Sequence, residues 1–194
     1  MEMLVYHGTS SIFRDNIEKN GLDPAYVRPR DDHWLGQGVY FYDNEMQARW
    51  WSAQSVKKDG GYKVVFKAQL NATDDLILNL DNPIQLREFV LFAEQLADEV
   101  SREDFNKGRR ITKQQYRAIA FDYYKKINNI CVIIATFSKE APSYLPRLSD
   151  SQFEFQKKFL DTIDLGYKER QICVSSKEVL YDVEAIFDEE NEVI

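Results

Sequence analysis

GQGVYFYDNEMQARWW, residues 36–51, is the stretch on which the fold turns. Two glycines open it, and the β-branched and aromatic residues behind them predict a strand over Gly38–Tyr42. Asp43 or Asn44 can cap a helix that runs on to about Lys57, with Gln47 spaced to close a capping-box-like pair. A strand that presents Tyr40, followed by a helix that presents Ala48 and Trp50, could sandwich a flat heteroaromatic cation. Taken alone, Tyr40, Trp50 and Trp51 read more readily as core aromatics.

On the N-terminal side, Met3–Tyr6 reads as a short apolar strand ending at His7-Gly8-Thr9. A glycine at a strand end lets a planar group lie against the backbone, so that an N–H and a C=O can pair with a carboxamide. A strand-end histidine can hold a hydroxyl, or be a satisfied polar residue. Ser10 or Ser11 can cap the helix that follows, with Ile12, Phe13 and Ile17 on one face. Gly21 in the left-handed region ends that helix, and Pro24 keeps it from resuming. Residues 23–37 form a polar loop that includes Arg28 and Arg30, a solvated face or a phosphate contact.

On the C-terminal side, Gly60-Gly61 turns the chain. Alternating Val64, Phe66 and Ala68 predict a half-buried strand, and Leu76–Leu80 another. Pro83 suits a first helical turn, and Leu86, Phe89, Ala93, Leu96 and Val100 make the helix amphipathic. A second helix spans about Thr112–Lys126, with Tyr116, Ile119, Ala120 and Tyr123 inward. Ile130–Phe137 predicts a central strand and Phe153–Ile163 a helix. Gln171–Val174 and Tyr181–Phe187 predict two more strands, and Asp188–Glu192 a frayed end. Strands without regular βαβ alternation imply one α+β domain over residues 1–194.

The chain's 194 residues are 44% hydrophobic and 29% charged, the composition of a globular domain. The net charge of −7 argues against a sequence-independent nucleic-acid binder. No apolar run reaches bilayer length, and the N-terminus does not read as a signal peptide. Cys131 and Cys173 sit in apolar runs, as buried reduced thiols of a cytoplasmic protein do. Two histidines are too few to suggest a zinc site, and no metal is expected.

Arg170-Gln171-Ile172-Cys173-Val174 completes the pattern. A polar residue that begins an apolar strand can face a cleft, or be a solvated strand end. In their order, the segments at residues 5–13, 36–51 and 168–180 resemble the ADP-ribosyltransferase superfamily. The likeness is to its diphtheria-toxin-like and poly(ADP-ribose)-polymerase-like branch, read by a His-Tyr-acid triad, and to small bacterial single-domain members. His7-Gly8-Thr9 resembles the first motif, Gly38-Val39-Tyr40-Phe41 the second, and Gln171 stands where Glu is usual.

The resemblance implies a split antiparallel β-sheet core with flanking helices and a helical insertion at about 83–126. It implies NAD as substrate and no metal. Gly8 would pair with the nicotinamide carboxamide, His7 would hold a ribose hydroxyl, Tyr40 and Trp50 would enclose the nicotinamide, and Gln171 would bond its ribose. Thr9, Gly38 and Gln47 complete the NAD-facing set. Gln171 cannot take a proton. Glu169, two residues earlier and so on the same strand face, could supply charge or act as base. Alternatively, the acceptor needs no base, the enzyme is slow, or Glu169 belongs to a solvated Lys168-Glu169-Arg170 run.

The implied activity is mono-ADP-ribosyl transfer to a macromolecular acceptor, with protein slightly favoured and nucleic acid left open. By family analogy the chain would be a cytoplasmic toxin with an antitoxin partner and no membrane partner. Two other readings stand beside this one: a catalytically silent NAD or nucleotide sensor of the same fold, and a non-enzymatic interaction domain.

Overall fold

The computed structural model describes residues 1–29, 33–102, 112–139 and 167–190, together with six helical positions, 152, 154, 155, 158, 159 and 162. Within them lie seven strands: β1 (Glu2–Ser10), β2 (Val39–Tyr42), β3 (Lys63–Asn71), β4 (Ile77–Asn79), β5 (Val132–Lys139), β6 (Tyr167–Val174) and β7 (Leu180–Asp188). The α-helices are α1 (Arg14–Asn20), α2 (Glu45–Asp59), α3 (Pro83–Arg102) and α4 (Lys113–Asn128). The strands form one sheet in the order β4-β5-β6-β2-β1-β3-β7, so the α+β expectation holds. The sheet is mixed: β4 and β5 are parallel and the other neighbours antiparallel. The helical stretch after β4 is therefore the crossover that a parallel pair requires. No helix among the described residues is long and apolar enough to cross a membrane.

Alternation along the strands divides the core in two. One face carries Val5, Phe41, Phe66, Ala68, Ile134 and Ile172, covered by Ile17, Leu22 and the segments around them. The other carries Tyr40, Ile133, Ala135 and Cys173 under α3 and α4, and Tyr6, Tyr42, Val65 and Phe187 under α2. Phe89 of α3 stacks on Phe121 of α4 with ring centroids 4.3 Å apart.

Local expectations are refined in several places. β1 does not end at His7 but runs through His7-Gly8-Thr9 to Ser10, because β3 pairs with it over nine residues. β3 alternates as expected from Phe66 to Leu70, with Lys67 and Gln69 half-buried, and is buried on its second face at Val65, which packs under α2. Ser10 caps a short 3₁₀ turn at Ser11–Phe13 ahead of α1, and Ile12 is exposed. Gly21 ends α1 with φ +75°, and Pro24 starts a 3₁₀ turn. On α4, Ala120 is buried as expected, and so are Ala118 and Phe121, while the expected Ile119 and Tyr123 are exposed. Leu86 of α3 is likewise exposed. The expected frayed end is pinned at Asp188, which pairs with Arg14; residues 191–194 lie outside the described residues.

The closest approach between layers is at Gly8. A Cβ there would lie 1.7 Å from the Ala48 carbonyl oxygen and 2.8 Å from the Ser52 nitrogen. The glycine is thus required by α2, whose backbone rests directly on β1. Gly8→Ala is expected to destabilise the protein by about 3 kcal/mol or more, because two backbones must separate to admit one methyl group. Urea unfolding measures this; a loss below about 1 kcal/mol would mean that α2 can shift at little cost.

Candidate functional site

The three motif strands are adjacent in the order β6-β2-β1. Cross-strand pairing sets Tyr40 opposite Cys173 and Tyr42 opposite Gln171, and Ala135 and Phe137 opposite Gln171 and Glu169. Side chains of directly opposed residues share a face. Gly8, Tyr40, Gln171 and Glu169 therefore gather on the face under α2 and α4, although about 160 residues separate the first from the last. Gln47 and Trp50 come to the same region on α2.

Glu169, Gln171 and Gln47 are all nearly inaccessible, at 6%, 4% and 5% exposure. The Gln47 amide donates to one Glu169 carboxylate oxygen at 2.5 Å. The Gln171 amide donates to the other at 2.5 Å. Gln47 does not close a capping box: Asn44 alone caps α2, accepting from Met46 and Gln47 backbone N–H groups. The Gln47 side chain is drawn to the buried carboxylate instead. Glu169 thus points into the molecule, and the solvated-run alternative does not hold for it. The charge of Glu169 and burial together push the Tyr42 phenol well above its ordinary pKa, with burial the larger cause.

Tyr40 is fixed through its hydroxyl, which accepts from the Leu35 N–H at 2.7 Å and donates to the Gly36 carbonyl at 2.8 Å. Burial raises its pKa far above the usual phenol value. Its ring meets His33 at 5.0 Å. The stacked pair between β2 and α2 is Tyr42 with Trp51, 6.1 Å apart and 11° from parallel. Trp50 meets Trp51 edge-on at 4.9 Å. The aromatic sandwich expected from Tyr40 and Trp50 is therefore displaced one step along both elements, because α2 lies over β1 and the end of β2. Gly38 approaches β6 closely: a Cβ would lie 2.6 Å from the Cys173 sulfur. Burial raises the Cys173 thiol pKa to about 11.

His7 and Thr9 are turned to the opposite face, which Val5 and Phe41 share, because they alternate with Gly8 along β1. His7 is half-buried and lies 5.8 Å from the Phe41 ring. Its Nδ1–H donates to the Tyr40 carbonyl at 2.8 Å, across the seam between β1 and β2. That seam is thin: the two strands pair only at Tyr6 and Tyr42. With Nδ1 as donor, the neutral ring keeps Nε2 as an acceptor.

Residues beyond the expected set also border the site. Asp122 of α4 accepts from the Gln37 N–H at 2.7 Å, while Lys125 donates to the Gln37 carbonyl at 2.5 Å and pairs with Asp122. Gly36 has φ +77°, a backbone conformation strained for any other residue, and a Cβ there would lie 2.4 Å from an Asp122 carboxylate oxygen. Arg117 of α4 lies over the Trp34 ring at 4.7 Å, and Trp34 meets Phe137 edge-on at 4.7 Å. Arg117 Nε and Trp51 Nε1 are buried donors without a partner among the described residues, a state that costs about 1–3 kcal/mol each. Helical periodicity could have placed Asp122 and Lys125 on one face, but nothing local pairs them with Gln37. Arg28, singled out from sequence, is exposed, and Arg30 lies outside the described residues.

A hollow of about 470 Å³ lies elsewhere, lined by Leu4, Lys67, Gln69, Asp182, Val183 and Glu184. Its surface position and its Lys67–Glu184 ion pair give it none of the chemistry gathered at Glu169. Among the described residues no group of His, Cys, Asp and Glu is arranged to hold a metal ion. The chain matches no family model, and comparisons with curated proteins and with solved structures find no match either.

Burial lowers the His7 pKa below 6.5 by more than the Tyr40 carbonyl raises it. A depressed folded pKa gives stability that is present above the unfolded value and is lost as pH falls through the folded one. Stability is therefore expected to decline below about pH 6.5. His7→Asn, which keeps a donor for the Tyr40 carbonyl, should lose part of that decline. Urea midpoints at pH 7.5 and 5 measure it; identical pH dependence in both proteins would assign the decline to other groups.

Proposed function

We propose that the chain is an NAD-dependent mono-ADP-ribosyltransferase, with Glu169 as the residue that stabilises the transition state. The observation that supports this most is the adjacency of β6, β2 and β1. It gathers Gly8, Tyr40, Gln171 and a buried carboxylate on one face, beside a helix carrying Gln47 and Trp50. In the proposed reaction the bond between nicotinamide and ribose breaks, and nicotinamide leaves with the bonding pair. Positive charge develops on the sugar, and a fixed carboxylate in a water-poor site stabilises it strongly. A nucleophile of a macromolecular acceptor then bonds to the ribose carbon, and its proton passes to water. Gln171 orients the ribose and Glu169 supplies the charge that a glutamate at position 171 would supply. Tyr40 and Gly38 border the nicotinamide end, while Trp50, displaced from Tyr40, and Thr9, on the opposite face, take no part in it. Membership of the ADP-ribosyltransferase superfamily, a cytoplasmic toxin role and an antitoxin partner all belong to this proposal.

A second reading has its own support. Glu169, Gln47 and Gln171 bond one another under α2, and Ala48 fills the space above Gly8. That closed arrangement suits a silent NAD or nucleotide sensor, in which the triad is structural.

Labelled NAD incubated with the protein and a cell lysate separates the readings. Transfer of label, followed by nuclease or protease digestion, identifies the acceptor class; NAD binding without cleavage would favour the sensor. Glu169→Gln is expected to lower transfer by about 10²–10³-fold while changing NAD affinity little, since the charge matters mainly in the transition state. Full transfer by the folded variant would remove Glu169 from the chemistry.

A further inference from the structure

Cross-strand pairing sets Phe137 beside Glu169 on the site face. The Trp34 ring lies 4.7 Å from Phe137 and the Arg117 guanidinium 4.7 Å from Trp34. These three side chains, from β5, the loop before β2 and α4, thus form a path from the buried carboxylate to the surface. Its middle member, Trp34, is 40% exposed. Residues next to Trp34 serve Tyr40: Leu35 and Gly36 hold its hydroxyl, and His33 packs on its ring. The path therefore adjoins both halves of the site.

Arg117 stands out on this path. It carries a full charge at any physiological pH. Its Nε is buried with no partner among the described residues, and its guanidinium lies on the Trp34 face. A guanidinium laid on an aromatic ring can still offer its in-plane N–H fork to an oxoanion, the geometry for which arginine is suited and lysine is not.

We propose that Arg117, braced on Trp34, is a phosphate-binding residue that takes the diphosphate of a dinucleotide whose nicotinamide-ribose end lies at Glu169. The inference rests on the NAD reading and extends it to the far end of the substrate. It also gives the helices between β4 and β5 a part in recognition, since α4 supplies the cation.

Calorimetric titration of the full chain with NAD, ADP-ribose and nicotinamide separately provides the test. Arg117→Ala is expected to weaken NAD and ADP-ribose by about tenfold or more, the loss of one charge-assisted hydrogen bond. Nicotinamide alone should bind both proteins equally. Arg117→Lys should recover only part of the loss, because it restores charge without the fork. ADP-ribose binding should also depend less on salt in the alanine variant, a change that a purely structural arginine would not produce. If Arg117→Ala does not fold, Arg117→Gln gives the same comparison. NAD that binds and is cleaved with unchanged affinity in the variant would overturn this proposal and leave the transferase reading standing. Failure of the unmodified protein to bind NAD would overturn both.

Discussion

The contact on which the rest depends is the backbone of α2 lying on the bare Cα of Gly8. Any side chain there would strike the Ala48 carbonyl, so the helix can sit low only because this residue is glycine. At that height the first turn of α2 reaches across β1 and β2 to the start of β6, and Gln47 meets Glu169. The same seating brings Trp51 flat against Tyr42. A small residue in β1 thus determines which polar groups meet about 160 residues further along the chain.

β2 is paired along its whole length with β6 but barely with β1. It is four residues long and pairs with β1 at one position only. Side chains supply what the ladder does not. His7 donates to the Tyr40 carbonyl, Leu35 and Gly36 grip the Tyr40 hydroxyl, and Asp122 with Lys125 holds both polar groups of Gln37. The seam between β1 and β2 is joined by one ladder pair and the His7 bond, and the motif residues flank it.

The sequence made the elements legible and much of their packing illegible. Strong periodic or β-branched signals located β3, β5, α2 and α3 to within a few residues. The spacing of Glu169 and Gln171 placed them on one face before any fold was known. Four features escaped for definite physical reasons. His7-Gly8-Thr9 looked like a strand end because local residues do not reveal the nine-residue pairing with β3. Gln47 matched a local capping rule, and a buried carboxylate outcompeted it. The inward face of α4 includes Ala118 and Phe121 beside Ala120, because these fit the core better than Ile119 and Tyr123. Trp34 and Arg117 lie 83 positions apart in a loop and a helix, and no periodicity links such a pair.

The way Glu169 is held bears on whether a glutamine at position 171 means lost chemistry. The amides of Gln47 and Gln171 each donate to one oxygen of the Glu169 carboxylate and so fix its orientation on the site face. Burial raises the Tyr42 pKa and the neighbouring Glu169 raises it further. On a strand, moving a charge by two positions keeps it on the same face. In the proposed reaction, exchanging one carboxylate-bearing position for another along β6 would shift the stabilising charge by two residues rather than remove it. Gln171 would then serve the carboxylate as well as the ribose.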